Sequence, residues 1–529
     1  MVHRFDLVLL LMAAAVGLHL LARRLRMPPA AALILGGIAL ALIPAAPDIE
    51  LDPDLALVLF LPPLLMADAY LTAWRDFRAN LRIILQLAVG AVAFTTLIVG
   101  LVAHAVVPDL PWAACFTLGA IVSPPDAVAA KAVLEHVRLP RRVTVLLEGE
   151  SLINDASGLV LYRFAVAAAL TGTFSAAEAA KVFVLLAIGG VVVGLVCGYL
   201  GTVLFARLRD PILTTIGSFL LGWATYIGAE ALGFSGVLST VACGLVVGWR
   251  QHTILTAHTR FAAATTWQTA TFVLESLVFI LIGLSLRGVL ARLNATTGSV
   301  PDLLLPTAAI IAAVILSRFA WVLPATYLIR AIFPRVRRHD PYPPLGIPIV
   351  VSWAGMRGVV SLAAALALPI EFPGRDFILA ATFAVILVTV LVQGATLAPL
   401  IRLLRVERFL GGSQLTLRES EARARIAKAQ LAAIQRASAL PDGTQQHPRL
   451  LEQYTYRARA SERFSSAEQE LESHRQAHFA AILAAVEAAR AELVRLHRRG
   501  EIHDTVLQTL ESELDLEEMT ARRYTAGAA

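Results

Sequence analysis

Two acids lie in one short polar segment at the head of a long apolar run. Residues 149–155 read GESLIND and hold Glu150, Ser151, Asn154 and Asp155, and apolar residues predominate from there to Leu170. An ionisable side chain at bilayer depth costs on the order of 3 kcal/mol or more. A chain that keeps such residues there is expected to use them to move ions or protons.

A second polar cluster, SPPD at 123–126, interrupts another apolar run. Pro124 and Pro125 lack backbone donors and cannot continue a regular helix, so the chain is expected to unwind there and expose carbonyl oxygens. Unwound backbone at membrane depth is tolerated only where it is buried in protein or lines a cavity. Together with the carboxylate of Asp126, these carbonyls predict a hard-oxygen site for a small alkali cation.

The elements that position these residues are apolar helices. Hydrophobic residues make up 57% of the 529 positions and charged residues 16%, which is far from the composition of an ordinary soluble domain. Runs of about 20 apolar residues, long enough to cross a bilayer, recur up to residue 403. We expect an all-α polytopic membrane domain over 1–403 with about thirteen spans: 5–22, 28–46, 54–72, 82–106, 112–134, 144–171, 179–205, 211–231, 234–249, 267–288, 303–333, 346–369 and 377–403.

The twelfth predicted span has a break like that of the fifth. Residues 352–358 read SWAGMRG, with glycines on both sides of Arg357. Each break falls in the fifth of six spans if 5–171 and 211–403 are two repeats joined by 179–205. Discontinuous helices at matching places indicate an inverted-repeat transporter with its site near the membrane midplane.

Orientation follows from the basic residues, because positively charged loops stay in the cytoplasm. Alternate loops are rich in arginine, such as Arg23, Arg24 and Arg26, or Arg335, Arg337 and Arg338. With an odd number of spans this places the N-terminus outside and the C-terminus in the cytoplasm. The net charge of +6 is then explained by topology, so membrane lipid is expected as a partner and nucleic acid is not.

Other classes of protein lack support in the sequence. Cys115, Cys197 and Cys243 are far apart and show no metal-ligand spacing. No phosphate loop, zinc-protease or nucleophile-elbow motif occurs. We therefore expect neither an enzyme nor a resident cofactor.

From residue 404 to 529 the composition becomes charged and alanine-rich. Residues 441–443, Pro-Asp-Gly, predict a turn, and 449–522 show the spacing of amphipathic helix. This predicts a cytoplasmic helical tail, either regulatory or solubilising.

The motifs together resemble a known family. The chain contains, in this order, FLPPLL at 60–65, SPPD at 123–126, GESLIND at 149–155, LES around Glu275 and GMRG at 355–358. These motifs and their order are similar to those of the NhaP-type monovalent cation/proton antiporters, the bacterial relatives of the animal sodium/proton exchangers. The resemblance covers residues 5–408. Relatives of the YjcE type also carry a charged helical tail.

The resemblance implies a homodimer in the bacterial inner membrane that exchanges Na⁺, or Li⁺ or K⁺, for H⁺ by an elevator-like motion. Asp155 would take either a proton or a cation, and Asn154 would steady the unwound segment, its neutral amide marking electroneutral one-for-one exchange. Ser151, Asp126 and a carbonyl of Pro124 or Pro125 would complete the cation shell. Where many relatives have Thr or Val, Pro125 offers only its carbonyl, which leaves the choice of cation open.

The resemblance also implies that Glu150 pairs with an intramembrane arginine. We assign this arginine to Arg357, with Arg318 as the alternative, and favour a structural role for the pair. Glu275 and Asp68 are weaker candidates for the site, because such acids are more often helix-packing groups.

The antiport prediction also follows from elementary chemistry. A carboxylic acid in a low-dielectric core favours its protonated form, so a cation and a proton can compete for one group, and that competition couples two opposite fluxes. A K⁺/H⁺ antiporter of the same fold and a transporter-like ion or pH sensor that signals through the tail are the alternatives. A channel would need a filter of carbonyls from several subunits.

Overall fold

The computed structural model describes residues 2–25, 27–43, 53–134, 137, 139–172, 176–208, 210–296, 300–406, 419–439, 445–466 and 468–525. These residues are almost entirely helical and contain no named strand. Arg26 and the predicted turn at 441–443 lie outside them. Contacts divide the chain into two compact units, Met1–Gly411 and Gly412–Ala529.

The first unit begins with helices that match the first five predicted spans in order. They are α1 Val2–Leu25, α2 Pro29–Ala41, α3 Pro53–Leu71, α4 Trp74–Leu85, α5 Val92–Val106, α6 Trp112–Val122 and α7 Ala127–Leu134. A π-helical segment, Gln86–Ala91, joins α4 and α5 into one rod, Trp74–Val106. This rod starts earlier than the predicted span 82–106 because the first turns of α4 are amphipathic: Phe77 is buried while Arg75 and Arg78 are exposed.

The remaining helices of this unit are longer or broken. They are α8 Arg141–Thr171, α9 Ala176–Arg207, α10 Pro211–Ala231, α11 Gly236–Ile254, α12 Ala257–Thr296, α13 Val300–Ile332, α14 Pro334–His339, α15 Gly346–Trp353, α16 Val359–Leu366, α17 Arg375–Val388 and α18 Gly394–Leu403. A second π-helical segment, Thr389–Gln393, joins α17 to α18.

Among the described residues, seven helices are long and apolar enough to cross a membrane, and Pro29–Ala41, Val58–Leu71 and Trp112–Val122 are shorter apolar helices. All-helical architecture is therefore confirmed. The count of thirteen spans and the two inverted repeats stay predictions.

Both predicted helix breaks are present. The helix α6 ends at Val122 and α7 begins at Ala127, so the two prolines lie in the unwound stretch between them. The helix α15 ends at Trp353 and α16 begins at Val359, with Gly355 and Gly358 in that stretch.

The second unit contains α19 Glu419–Ser438, α20 Pro448–Ser466, α21 Glu468–Arg498 and α22 Asp504–Thr525. The helical pattern predicted over 449–522 is broken after α21, and this break contains Gly500 with φ +72°. A glycine in the left-handed region just after a basic last turn is a common helix stop. Within this unit, Tyr524 stacks on Phe479 with ring centroids 4.1 Å apart and accepts a hydrogen bond from Arg423.

Candidate functional site

The two unwound segments touch each other. The backbone N–H of Asp126, next to α7, donates to the carbonyl of Met356, between α15 and α16, at 2.7 Å. A Cβ added to Gly358 would overlap the carboxylate of Asp126. The second break therefore needs glycine where its backbone passes this acid.

The helix α8 presents three faces at this crossing, because successive residues are about 100° apart around a helix. Leu152 and Ala156 pack in an apolar cluster with α3 and α11. Ser151 and Asp155 line a cavity. Glu150 and Asn154 point to polar partners elsewhere in the first unit.

The amide of Asn154 holds the first unwound segment. Its Nδ2 donates to the carbonyl of Pro125 at 2.6 Å, and the side chain is fully buried. Pro125 lies in the unwound stretch between α6 and α7. Without Asn154, its carbonyl would lack a helical donor. A Cβ on Gly158, one turn further along α8, would overlap the ring of Pro124. This glycine allows α8 and the unwound segment to approach closely.

The cavity brings together most of the predicted site. Its lining includes Asp155, Asp126, Ser151 and Pro124. Both weaker candidates, Asp68 from α3 and Glu275 from α12, line it too. Asn154 and Pro125 are bonded to each other and are not part of this lining. The remaining lining is mainly apolar, and the space of about 50 Å³ is enough for a few waters or a partly hydrated alkali cation.

The arrangement is acidic at its centre. Asp126 and Asp68 both lie close enough to Asp155 to act on its charge, and Asp155 is 9% exposed. Several carboxyl groups around one small space repel each other when all are ionised. Such a site favours the uptake of a proton or a cation.

The predicted pairing of Glu150 with Arg357 is wrong. Glu150 forms a buried bidentate ion pair with Arg318 of α13, with Nη1–Oε1 at 2.6 Å and Nη2–Oε2 at 2.7 Å. Arg318 also donates from Nε and Nη2 to the carbonyl of Val351, at 3.2 and 3.0 Å. The planar guanidinium satisfies a carboxylate and a helix end together, which suits arginine.

Arg357 points instead to the end of α6. Its Nε donates to the carbonyl of Val122 at 2.5 Å, its Nη1 donates to the carbonyl of Gly355, and its backbone N–H donates to Thr389 Oγ1 at 3.1 Å. Val122 is the last residue of α6, where carbonyls lack helical partners. Arg357 thus fastens the second unwound segment to the end of the first broken helix.

Sequence reasoning did not identify Thr389, which lies in a π-helical segment. Such segments are frequent at functional sites but have no reliable sequence signature. It also gave Arg318 second place, although an arginine in the middle of the apolar span 303–333 is itself a signal of function.

Comparisons with known proteins show what the chain is similar to. Residues 8–403 match the family described as "Sodium/hydrogen exchanger, transmembrane". The chain is 33% identical to the uncharacterized Na⁺/H⁺ exchanger YjcE of Escherichia coli, over 88% of this chain and 89% of that protein. It is 35% identical to the sodium, potassium, lithium and rubidium/H⁺ antiporter of Bacillus subtilis, over 68% of this chain and 56% of that protein.

A solved structure has the same fold. The sodium proton antiporter MjNhaP1 of Methanocaldococcus jannaschii at pH 8 superposes with a TM-score of 0.60 at 21% identity, covering 77% of this chain and 99% of that one. The predicted resemblance to NhaP- and YjcE-type proteins is confirmed. This chain belongs to the transmembrane sodium/hydrogen exchanger family.

Proposed function

We propose that this protein is a secondary active transporter that exchanges Na⁺, or another monovalent cation, for H⁺. The observation that carries the proposal is the cavity at the crossing of the two broken helices, which Asp155, Asp126, Ser151 and Pro124 all line. Carboxylate and hydroxyl oxygens in this mixture suit a hard monovalent cation.

In this proposal the carboxylate of Asp155 binds one cation or one proton at a time. Cation arrival displaces the proton, and proton arrival displaces the cation, so the same group couples both fluxes. Glu150 is not the exchangeable group in this proposal, because it forms a bidentate ion pair with Arg318. Asn154 is uncharged, so the pair of residues at 154 and 155 contributes a single exchangeable charge, which supports electroneutral one-for-one exchange.

The surrounding assembly is proposed on the same basis. Within the first unit, a core domain that holds the crossing moves in an elevator-like manner against a dimerisation domain. The protein is a homodimer in a bacterial inner membrane, with the N-terminus outside and the C-terminal tail in the cytoplasm. The arginine-rich loops support this orientation. The apolar helix Ala180–Arg207, with 17% of its most apolar window buried, supports a lipid or protein neighbour.

Potassium is a second candidate for the transported cation. The Bacillus subtilis relative is named for sodium, potassium, lithium and rubidium. In this chain the site contains Pro125, whose carbonyl is bonded to Asn154, so fewer fixed ligands are left to impose one ionic radius.

The test is dissipation of a pH gradient in proteoliposomes or everted vesicles on addition of Na⁺, Li⁺ or K⁺. We expect wild type to respond and Asp155→Asn to lose the response by at least about a hundredfold, because the neutral amide can neither ionise nor exchange a proton. Asp109→Asn, a change at an exposed acid outside the cavity, is the matched control and should transport like wild type.

A folded wild type that responds to none of the cations would contradict exchange and favour the sensor. Current under a cation gradient without proton movement would favour a channel. Equal transport by Asp155→Asn would remove that residue from the mechanism.

A further inference from the structure

A lysine lies at the edge of the acidic cavity. Lys131 on α7 places its Nζ 3.5 Å from Oδ1 of Asp68 on α3, and Asp68 lines the cavity. The two side chains are 44% and 36% exposed, so this contact is more open than Asp155 is. The carboxylate of Asp68 therefore lies between the ammonium group of Lys131 and the cavity.

A further acid belongs to the same edge. Glu148 lies seven residues before Asp155 on α8, which is two turns earlier on the same face and about 10 Å along the axis. Lys131 and Asp68 both lie close enough to Glu148 to act on its charge, and Asp68 lies close enough to Asp155 to act on it too. Glu148, Asp68 and Asp155 thus form a series of carboxylates that leads inward.

This series faces the end of the first unit that contains the arginine-rich loops, here called the arginine-rich end. The helix α8 begins at Arg141, so Glu148 is nearer to that end than Asp155 is. On the proposed topology, this is the cytoplasmic side. A monovalent cation that enters from there meets Glu148 and Asp68 before it meets Asp155.

The chemistry of Lys131 resembles that of the cargo. Its ammonium group is a compact monovalent cation on a flexible stem, and it contacts the carboxylate that an entering cation would use. A cation that binds Asp68 must displace the ammonium or share the carboxylate with it.

We propose that Lys131 is a tethered competitor of the transported cation, which occupies the acidic entrance and thereby sets the apparent cation affinity on the arginine-rich side. This inference rests on the proposed exchange function. It assigns to Lys131 and Glu148 a role in cargo entry, and to Asp68 the position where the competition takes place.

The test measures the KM for Na⁺ at the cytoplasmic face, in everted vesicles that hold a preformed pH gradient. For Lys131→Gln we expect KM to fall about threefold to tenfold, since a unit positive charge near the entrance is removed and solvent screens part of its effect. Lys131→Arg keeps the charge and should leave KM at or above the wild-type value.

Arg78→Gln is the matched control for a general change in surface charge. Arg78 is exposed on α4 and is one of the basic residues that the sequence predicts on the cytoplasmic side, so its removal should leave KM unchanged. A fall in KM equal to that of Lys131→Gln would contradict a local role for the lysine.

A double-mutant cycle tests whether Lys131 acts through Asp68. In an Asp68→Asn background, Lys131→Gln should change KM by less than about twofold, because the contested carboxylate is gone. An undiminished effect would overturn the assignment to Asp68.

A binding measurement serves for variants that transport too slowly for KM to be measured. The Na⁺ concentration that gives half-maximal thermal stabilisation of the detergent-purified protein should fall with Lys131→Gln in parallel with KM. If wild type exchanges cations but both quantities are unchanged or rise in Lys131→Gln, the competitor role is wrong while the exchange function stands. If wild type exchanges no cation for protons, the proposed exchange function itself is wrong.

Discussion

At the scale of single residues, two buried arginines perform related tasks at the crossing. Arg318 bonds the carbonyl of Val351 in α15, and Arg357 bonds the carbonyl of Val122 at the end of α6. Helix C-termini carry partial negative charge, and cations near them are stabilising. Each arginine therefore caps one broken helix, but only Arg318 also pairs with an acid that the described residues place beside it.

This difference predicts which arginine is coupled to Glu150. Glu150→Gln should cost about 3–5 kcal/mol in the free energy of unfolding, since it leaves the buried charge of Arg318 without its partner. In an Arg318→Met background the same change should cost much less. Denaturant titration of the purified variants in mixed micelles measures both values.

The control is the same cycle with Arg357→Met. There Glu150→Gln should keep most of its cost. Strong coupling to Arg357 and weak coupling to Arg318 would contradict the ion pair described for Glu150.

Sequence reasoning could identify Glu150 and both arginines but could not choose between the partners. All three are ionisable residues within apolar runs, and that signal is equal for each arginine. The choice depends on how α13 packs against α15 and α8. Spacing along the chain does not encode that packing.

At the scale of elements, the unwound segments are the best-predicted part of the fold. Adjacent prolines at 124 and 125 and the glycines around Arg357 break their helices for reasons that are local to the sequence. The π-helical segments Gln86–Ala91 and Thr389–Gln393 were not predicted, because neither contains a proline that would mark an irregular helix. The carbonyl of Gln86 accepts a hydrogen bond from Trp321, which shows how a distant helix uses the altered backbone.

The close passage of the second unwound segment makes Gly358 a sensitive position. Gly358→Ala places a methyl group where the carboxylate of Asp126 lies, so either that acid or the backbone must move. We expect the rate of cation-dependent proton movement to fall at least about tenfold, because displaced ligands lose their geometry. The pH-gradient measurement in vesicles gives this rate directly.

Gly228→Ala is its control. Gly228 is in α10 and an added Cβ there has open space, so this variant should transport normally. Normal transport by Gly358→Ala as well would show that the crossing tolerates rearrangement.

At the scale of the whole molecule, one acid fastens several helices at the arginine-rich end of the first unit. Asp340 accepts hydrogen bonds from Arg82, Arg142 and Arg330, at 3.3, 2.8 and 2.5 Å. These arginines belong to α4, α8 and α13. Burial alone would raise the pKa of Asp340, but the hydrogen bond from Arg142 and the charges of Arg142, Arg330 and Arg82 outweigh it and hold the pKa below its usual range.

This cluster predicts a pH-dependent contribution to stability. Because the pKa of Asp340 is lower in the folded state than in the unfolded state, its contribution is present above the unfolded value of about 4 and is lost as the pH falls through the folded value. Asp340→Asn should lower the free energy of unfolding by about 1–3 kcal/mol at neutral pH. The difference from wild type should shrink as the pH is lowered below about 4.

Thermal or denaturant unfolding across this pH range measures the effect. Asp109→Asn serves as the control, because Asp109 is exposed. A difference between Asp340→Asn and wild type that grows as the pH falls would contradict the assignment.

The hydrogen bond from Asp126 to Met356 has a mechanical consequence. It fastens two stretches of chain that lack regular helical bonds and that come from distant parts of the sequence. As long as it holds, the two stretches cannot separate, so a movement of one would carry the other with it. In the proposed exchange cycle, a cation bound there would keep the same neighbours on both sides of the membrane, so the choice of cation would not depend on the side to which it is delivered.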